Sequence, residues 1–196
     1  MPFSFQYNKT ALQALGKQLK IRQGALPILK NKESALRVEV MAEKQKIKSI
    51  NNQQLQSKEK ADYLLPLIGR FPTDLVYLDA LDIDHKKIAG VKIPQLKSIS
   101  LSIKEILWHE APHWYPDVLS YLKEFAELNA KLSVAEQTLK ILERERKRTT
   151  QKVNLYEKVQ IPELEDALKK IKRFLEDKEN LSKAAQKMVK ARKIPV

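Results

Sequence analysis

The chain has 196 residues, 31% of them charged, with a formal net charge of +13, four glycines and no cysteine. The lack of cysteine excludes disulfides, thiolate metal sites and a cysteine nucleophile, and no apolar run approaches the ~20 residues that cross a bilayer. We therefore expect a helix-rich chain without signal peptide or membrane span, soluble or peripheral to a larger assembly.

The positive charge lies in two segments that flank a neutral middle. Residues 1–65 carry 12 basic and 5 acidic side chains, a net +7. Residues 66–116 carry 6 of each sign, and residues 117–196 carry 19 basic and 13 acidic side chains, a net +6. A polyanionic partner is therefore expected to meet the flanks.

The first flank is predicted to be one long helix. Its apolar residues follow alternating steps of three and four without a register break, which is typical of a coiled coil. Asn8 is the expected N-cap and Pro66 the expected stop, while Pro27 predicts a bend without termination. The stripe comprises Leu12, Leu15, Leu19, Arg22, Leu26, Leu29, Glu33, Leu36, Val40, Glu43, Ile47, Ile50, Gln54, Ser57, Ala61 and Leu64.

The middle segment has a different pattern. In "KSISLSIKEI", Ile99, Leu101 and Ile103 alternate with polar residues, which predicts a strand. The preceding "KIAGVKIP" predicts a second strand with a bend at Gly90 and an end at Pro94, and "PTDLVYLDAL" is expected to be helical or irregular. Because a lone hairpin is marginal in water, its apolar residues must pack on the helices or be covered by a partner.

The second flank repeats the heptad pattern. Beyond Tyr156 the stripe needs an extra four-residue step, and Pro162 sits at this slip, which predicts a local bend. The regular part comprises Val118, Tyr121, Phe125, Leu128, Leu132, Ala135, Leu139, Leu142, Arg146, Thr149, Val153 and Tyr156, and the shifted part comprises Leu164, Leu168, Ile171 and Leu175.

Neither helix can bury its stripe alone, so the chain is expected to fold back on itself. The predicted fold is mainly α, a long antiparallel two-helix coiled coil with a short β-hairpin insertion at the hairpin end. Leu64 then lies near Val118, and Leu12 lies near Leu168 to Ile171. The expected organisation is an N-terminal helix (1–65), a middle region with the hairpin (66–116) and a C-terminal helix (117–196), together one elongated domain.

The stretch "WHEAPHW" contains the H-E-x-x-H letters of zinc proteases. That site needs both histidines on one face of an unbroken helix, whereas Pro112 separates His109 from His113 and favours a helix start there or at Pro116. The letters are therefore interpreted as accidental. The tryptophans and histidines are expected to pack at the base of the hairpin instead.

Other catalytic arrangements are equally weak. The glycines are isolated and form no phosphate-binding loop, and Asp82 and Asp84 of "LDIDHK" are expected in a solvated turn rather than as an acid/base pair. We therefore expect no enzymatic activity, metal or cofactor. Three classes remain: a basic coiled coil that binds nucleic acid, a tether or adaptor, and a shaft gripped by surrounding proteins.

Two stretches resemble the D subunit of the V/A-type rotary ATPases. "NKTALQALGKQLKIRQGALPILKNKESAL" (8–36) is similar to the N-terminal helix of that family, from which Pro27 departs. "RKRTTQKVNLYEKVQIPELEDALKKIKRFLEDKEN" (146–180) is similar to its C-terminal motif, and "IAGVKIP" and "APHWYPDV" resemble its ribbon and the return into the second helix, in the shorter form of the bacterial branch. The motif matches at Thr149, Val153, Asn154, Glu157, Ile161, Pro162, Leu164 and Glu165.

The resemblance implies a non-catalytic rotor shaft of the central stalk, which transmits rotation between the A/B catalytic ring and the ion-carrying ring in the membrane. It implies as partners the A and B catalytic subunits, the F subunit and a funnel subunit that links to the membrane ring. The implied location is cytoplasmic, peripheral on the inner membrane. Neither a small-molecule substrate nor a cofactor is implied.

Within that resemblance, two basic groups are expected to meet acidic side chains of the catalytic ring. They are a girdle on the second helix, opposite residues 30–37, and the C-terminal tail. A solvated face without partner is the alternative for the girdle, and Arg146, at a core heptad position, can instead pair with Glu33. The residues are Arg144, Arg146, Lys147, Arg148, Lys152, Lys183, Lys187 and Lys190, with Ile99, Leu101 and Ile103 as the hairpin patch.

Overall fold

The computed structural model describes residues 5–72, 75–104, 109 and 111–192. It confirms the predicted fold class: long N-terminal and C-terminal helices with an antiparallel two-stranded hairpin between them. In chain order the elements are α1 (Lys9–Lys60), a 3₁₀ turn (Asp62–Leu64), α2 (Leu65–Ile68), β1 (Val76–Ile88), β2 (Val91–Ile103), α3 (Tyr115–Leu155), a π-helical turn (Tyr156–Gln160) and α4 (Ile161–Arg192).

The chain forms two compact units. The first combines the chain up to Glu33 with the chain from Arg148 onward, and the second consists of Ser34–Lys147. The first unit therefore pairs the start of α1 with the end of α3 and with α4. The second unit contains the rest of α1 and α3 together with the hairpin.

The start of α1 follows from its N-cap, whereas its end is not set by a proline. The Asn8 side chain accepts a hydrogen bond from the Ala11 N–H at 2.6 Å, as expected of an N-cap. The helix continues through Pro27 and ends at Lys60. The expectation that Pro66 ends it is wrong, because Pro66 lies in the first turn of α2, where a proline loses no helical hydrogen bond.

In the first unit, α1 packs against α4 through an apolar cluster. Leu15, Leu164, Ala167 and Ile171 are buried. Leu12 and Leu19 pack against them from α1, and Leu168 and Leu175 from α4. The expected proximity of Leu12 to Leu168 and Ile171 is thus confirmed.

In the second unit, α1 and α3 run antiparallel. Leu36 and Val40 share one cluster with Leu142, and Ile50 shares another with Leu128 and Ala135. At the far end, Ala61 and Leu64 pack with Val118 and Tyr121, as expected. Phe71, Trp114 and Tyr115 join this last cluster through edge-to-face ring contacts 4.7 to 6.4 Å between centroids.

Three polar positions of the α1 stripe, Arg22, Glu33 and Gln54, are hydrogen-bonded to the returning part of the chain. In the first unit, Arg22 Nε donates to Gln160 Oε1 at 2.7 Å and the Thr150 hydroxyl donates to Glu33 at 3.2 Å. In the second unit, Gln54 donates to Asn129 at 2.9 Å. Each bond is lost if the helices shift by one residue, so these positions help to fix the register of the pair.

A π-helical turn lies where the sequence predicts the slip. The N–H of Ile161 donates to the carbonyl of Tyr156, five residues back instead of four. Pro162 follows and has no N–H, so one further carbonyl loses its usual donor. The wider π turn takes up extra residues and returns Leu164 and Ile171 to fully buried positions.

The hairpin turn is a two-residue connection. Ala89 and Gly90 have φ of 48° and 77°, the left-handed values of a type I′ turn, which matches the twist of the strands. Val76 pairs with Ile103 and Ile88 with Val91 at the two ends of the ribbon. The bend expected at Gly90 is confirmed.

Four expectations about the strands are wrong. The stretch "KIAGVKIP" is not a separate strand, because the turn at Ala89 and Gly90 divides it and its second half continues through "KSISLSI" as β2. From Val76 onward, "PTDLVYLDAL" belongs to β1, because a register shift between Leu78 and Ala80 interrupts the alternation without ending the strand. "LDIDHK" likewise lies in β1 rather than in a turn. Pro94 does not end β2 but pairs with His85. The Pro94 carbonyl accepts a hydrogen bond from the Thr138 hydroxyl of α3 at 3.1 Å, so the backbone of Pro94 faces away from β1. At such a position the pairing of the strands needs no N–H, and a proline is accommodated.

Both ends of the ribbon are packed on the helices of the second unit. Near the turn, Val91 and Ile93 are buried against Leu36, Val40 and Leu142. At the base, Val76 and Ile103 pack against the cluster that contains Val118. The hairpin is therefore part of the core of this unit.

We expect Leu142→Ala to destabilise the second unit by about 2–5 kcal/mol, because Leu142 is fully buried between α1 and the hairpin. Val38→Ala, at a position 65% exposed in the same unit, is the control and should change stability by about 0.5 kcal/mol or less. Urea unfolding followed by circular dichroism measures both. Equal effects of the two substitutions would contradict the packing described here.

We expect Ala89→Asn to stabilise the hairpin by about 0.5–1 kcal/mol, because asparagine tolerates the left-handed conformation better than alanine. Gly90→Ala should destabilise the same turn. Amide hydrogen exchange of Ile88 and Val91 reports the change. Faster exchange in Ala89→Asn than in the unmodified chain would show that the turn has another geometry.

Candidate interaction surfaces

All five residues of the predicted basic girdle lie on α3. In the second unit, Arg144 and Lys147 are exposed, and Arg146 is half-buried because it occupies a stripe position. The Nε atom of Arg146 is buried without a hydrogen-bond partner in the described part of the chain. In the first unit, Arg148 and Lys152 are exposed. Four of the five cationic heads can therefore be reached from solvent.

Ion pairs cross between the helices in each unit. Lys30 on α1 lies 2.6 Å from Glu157 in the first unit, and Lys44 lies 2.7 Å from Glu143 in the second. All four side chains remain 42% to 56% exposed, so each pair contributes about 0–1 kcal/mol. Part of the positive charge is thus neutralised within the helix pair.

The predicted basic tail occupies the end of α4. Every residue from Glu176 to Arg192 is exposed, including the predicted contacts Lys187 and Lys190. Lys183 lies 2.8 Å from Glu179 and, by hydrogen bonding and charge, lowers the pKa of that carboxyl. Leu181, Met188 and Val189 are also more than half exposed. The end of α4 therefore presents basic and apolar side chains together.

The residues of the predicted hairpin patch are only half-buried. Ile103 packs at the base of the ribbon, and Ile99 and Leu101 lie across from β1. The exposed apolar residues are instead on β1, where Leu78 is 55% and Leu81 is 39% exposed. The apolar residues of "VYLDALDI" are the sequence signal for this exposed surface. The register shift interrupts their alternation, so the sequence does not show the periodicity of a strand.

A second set of buried residues on α3 is missing from the heptad prediction. Val134 and Thr138 are buried, and Ile141 is half-buried, on positions outside the stripe. They face the ribbon, as the hydrogen bond from Thr138 to Pro94 and the contacts of Ile141 with the Val91 cluster show. The spacing of three to four residues is the only sequence signal for this second face.

A cleft of about 680 Å³ separates the middle of the ribbon from the helices of the second unit. It combines the carboxylates of Glu39, Glu43 and Glu127 with the ammonium groups of Lys46 and Lys131. One carboxylate oxygen of Glu43 is buried without a partner, while the other lies 3.4 Å from Lys46. Among the described residues, no group of three or more potential ligands is arranged to hold a metal ion.

The H-E-x-x-H letters do not form a zinc site. The helix α3 starts at Tyr115, so both His109 and His113 precede it. Trp114 packs at the hairpin base as expected, and both histidines are exposed. The expectation that His113 is packed in the base is therefore wrong. At this base the rings of Phe71 and Tyr115 contact each other, with centroids 5.1 Å apart. Trp108 and Glu110 lie outside the described residues.

No helix in the described part of the chain is long and apolar enough to span a membrane.

Comparisons with known proteins point to one family. The family profile of the ATP synthase D subunit matches residues 11–191. The chain is 29% identical to the V-type ATP synthase D subunit of Chlamydia trachomatis serovar L2 over 195 residues, covering 97% of this chain and 96% of that protein. It is 30% identical to the protein of the same name from Chlamydia pneumoniae over 196 residues, covering 97% and 93%.

We expect Arg146→Met to leave the isolated chain as stable as before or to stabilise it by about 1 kcal/mol, because a buried guanidinium nitrogen without a partner is costly. Arg144→Met, at an exposed position of the same helix, should change stability by about 0.5 kcal/mol or less. Urea unfolding compares the two. A loss of more than about 2 kcal/mol in Arg146→Met would mean that the guanidinium has a strong partner.

Proposed function

Since the chain belongs to the family of ATP synthase D subunits, we propose that it is the central-stalk rotor shaft of a V/A-type ATPase. In this role it transmits rotation between the A/B catalytic ring and the ion-carrying ring of the membrane. The D subunit is a non-catalytic stalk subunit, and it acts within a membrane-associated complex together with other subunits. The chemistry of ATP hydrolysis or synthesis therefore belongs to the other subunits.

The observation that carries this proposal is the unbroken burial of the α1 stripe. All 16 predicted positions of the stripe are buried or half-buried. In the first unit Leu12, Leu15 and Leu19 pack against α4, and in the second unit the clusters that contain Leu36 and Ile50 pack against α3. A shaft must carry torque without separating its two helices. Side-chain packing along the pair, with hydrogen bonds across it at Arg22, Glu33 and Gln54, provides that resistance.

The outward side chains support contact with a surrounding protein. Arg144, Lys147, Arg148 and Lys152 present positive charge on α3, and we propose that they meet acidic side chains of the catalytic subunits. Long-range attraction suits a contact that must be broken and remade at each step, because it does not depend on one fixed geometry. Lys183, Lys187 and Lys190 of α4 would form a second such surface.

Rotation in this scheme is a shift of populations in the ring. Each orientation of the shaft places a different set of side chains against a given catalytic interface. The conformations of that interface then differ in free energy by the difference in their contacts with the shaft. Hydrolysis biases the orientation and rotation biases hydrolysis, because the same coupling free energy acts in both directions.

The remaining partners belong to the same proposal. The F subunit would bind the helix pair, and the funnel subunit would bind the end that carries α2 and the hairpin base. The complex would place the chain on the cytoplasmic side, peripheral to the inner membrane. Phe71 and the apolar residues beside it give that end its packing core.

The charge reversal Arg144→Glu with Arg148→Glu tests the ring contact. We expect weaker assembly with the A/B ring or a lower ratio of ions pumped to ATP hydrolysed, since two attractive contacts become repulsive. Native mass spectrometry of the reconstituted complex and coupled ATPase assays measure the two effects. Unchanged assembly and unchanged coupling would remove the basic girdle from the mechanism.

The matched control is Lys123→Glu with Lys140→Glu, which makes the same change of charge at two exposed positions elsewhere on α3. This control should affect coupling much less than the reversal at Arg144 and Arg148. Thermal unfolding of both isolated double variants shows whether either one disturbs the fold. Equal loss of coupling in the two variants would indicate a general charge effect rather than a specific contact.

A further inference from the structure

The outer edge of β1 is open. The sheet has two strands, and no other strand of the described chain pairs with β1. The opposite edge of the ribbon is engaged, since the Pro94 carbonyl of β2 accepts a hydrogen bond from Thr138. All side chains of β1 from Tyr77 to Lys87 are exposed. A long strand with a free edge offers a row of unpaired backbone groups to another chain.

The register identifies which backbone groups of β1 point away from β2. His85 pairs with Pro94, whose backbone points away from β1, so the N–H and carbonyl of His85 also point outward. The His85 N–H is indeed bonded to the side chain of the preceding Asp84, at 2.7 Å, and not to β2. By the alternation of an antiparallel pair, the groups of Ile83 and Leu81 point outward as well.

One face beside this edge is apolar. Leu78, Leu81 and Ile83 are opposite Leu101, Ile99 and Leu96, and residues that pair across a ribbon share a face. The three side chains on β1 are 55%, 39% and 36% exposed. Leu78 and Leu101 also line a cleft of about 350 Å³ with Leu122 and Phe125 of α3. The apolar side chains of a strand added at the β1 edge would extend this packed surface.

The other face beside the edge is acidic. Asp82 and Asp84 alternate with Leu81 and Ile83 and therefore point to the opposite side. Asp79 adds a third exposed carboxylate at the register shift. Only Asp82 has an ion-pair partner in the described part of the chain, Lys97 at 3.6 Å with both side chains more than half exposed. This acidic strip is unusual in a chain of net charge +13.

We propose that the outer edge of β1, residues 79–85, accepts an extended segment of another protein of the assembly as a third strand. The segment alternates apolar residues, which cover Leu81 and Ile83, with lysine or arginine, which meet the carboxylates on the other face. Backbone hydrogen bonds give this mode its affinity and the alternating side chains give it specificity. A second copy of β1 is a poor occupant because it brings the same carboxylates.

This inference rests on membership of a multi-subunit complex and not on rotation. The test is hydrogen exchange, read by mass spectrometry with residue resolution, in the isolated chain and in the assembled complex. Exchange at the Leu81 and Ile83 amides should slow by about tenfold or more on assembly, because they gain acceptors. Unchanged exchange at both amides in an active, coupled complex overturns this proposal and leaves the rotor function standing.

A pair of variants separates strand addition from burial of the apolar face. Ile83→Pro removes the outward N–H at a position equivalent to that of Pro94 in β2, so the ribbon itself should tolerate it. Ile83→Thr keeps the N–H and loses apolar surface. We expect Ile83→Pro to abolish the protection of Leu81 and Ile83→Thr to retain most of it; equal effects would overturn strand addition. Unaltered exchange of Val91 and Ile93 in the isolated variants verifies the fold.

A second pair tests the chemistry of the occupant. Asp82→Asn with Asp84→Asn should reduce the protection of β1 in the complex, whereas Lys86→Gln with Lys87→Gln should leave it unchanged or increase it. A larger loss of protection in the lysine variant than in the aspartate variant would overturn the proposal that the segment is basic. Protection that appears in the isolated chain as its concentration rises, together with a dimer mass, would make a second copy the occupant and also overturn the proposal.

Discussion

The structure depends on one constraint: an apolar stripe that runs the whole length of α1 must be covered by the returning chain. A single helix in water has nothing to bury such a stripe against. In each unit the returning helix supplies the second half of the interface, from Ile171 opposite Leu15 to Val118 beside Leu64. The helix pair stays packed at the polar positions Arg22, Glu33 and Gln54, because each of these side chains forms a hydrogen bond with the returning chain.

The periodic parts of the chain could be predicted from the sequence because their information is local. A heptad step of three and four residues specifies which side of a helix is buried, and Pro162 marks the place where the step fails. The π turn itself could not be foreseen, since both a bend and a change of winding accommodate the same slip. The alternation of Ile99, Leu101 and Ile103 likewise predicted β2, while β1 was missed because its register shift at Asp79 breaks the alternation.

The second buried face of α3 could not be predicted, because it exists only where the ribbon packs. Thr138 appears in the sequence as an ordinary polar residue between Gln137 and Leu139, yet it is 2% exposed and bonded to a strand residue 44 positions away. For the surface residues, the sequence offers too many equivalent candidates. Arg144 and Lys152 are exposed like many other cations of the chain, so neither spacing nor burial distinguishes a contact residue from a solvated one. In the contact proposed above, their role would be defined by a surface that belongs to another protein.

The π turn from Tyr156 to Gln160 has a mechanical consequence. Its hydrogen bonds span five residues, and Pro162 contributes none, so this stretch resists twisting less than the α-helix on either side of it. If torque passes along the chain, the elastic deformation would be largest in this stretch. In the proposed rotor shaft, these five residues of altered winding would take up part of each rotation step within the shaft itself.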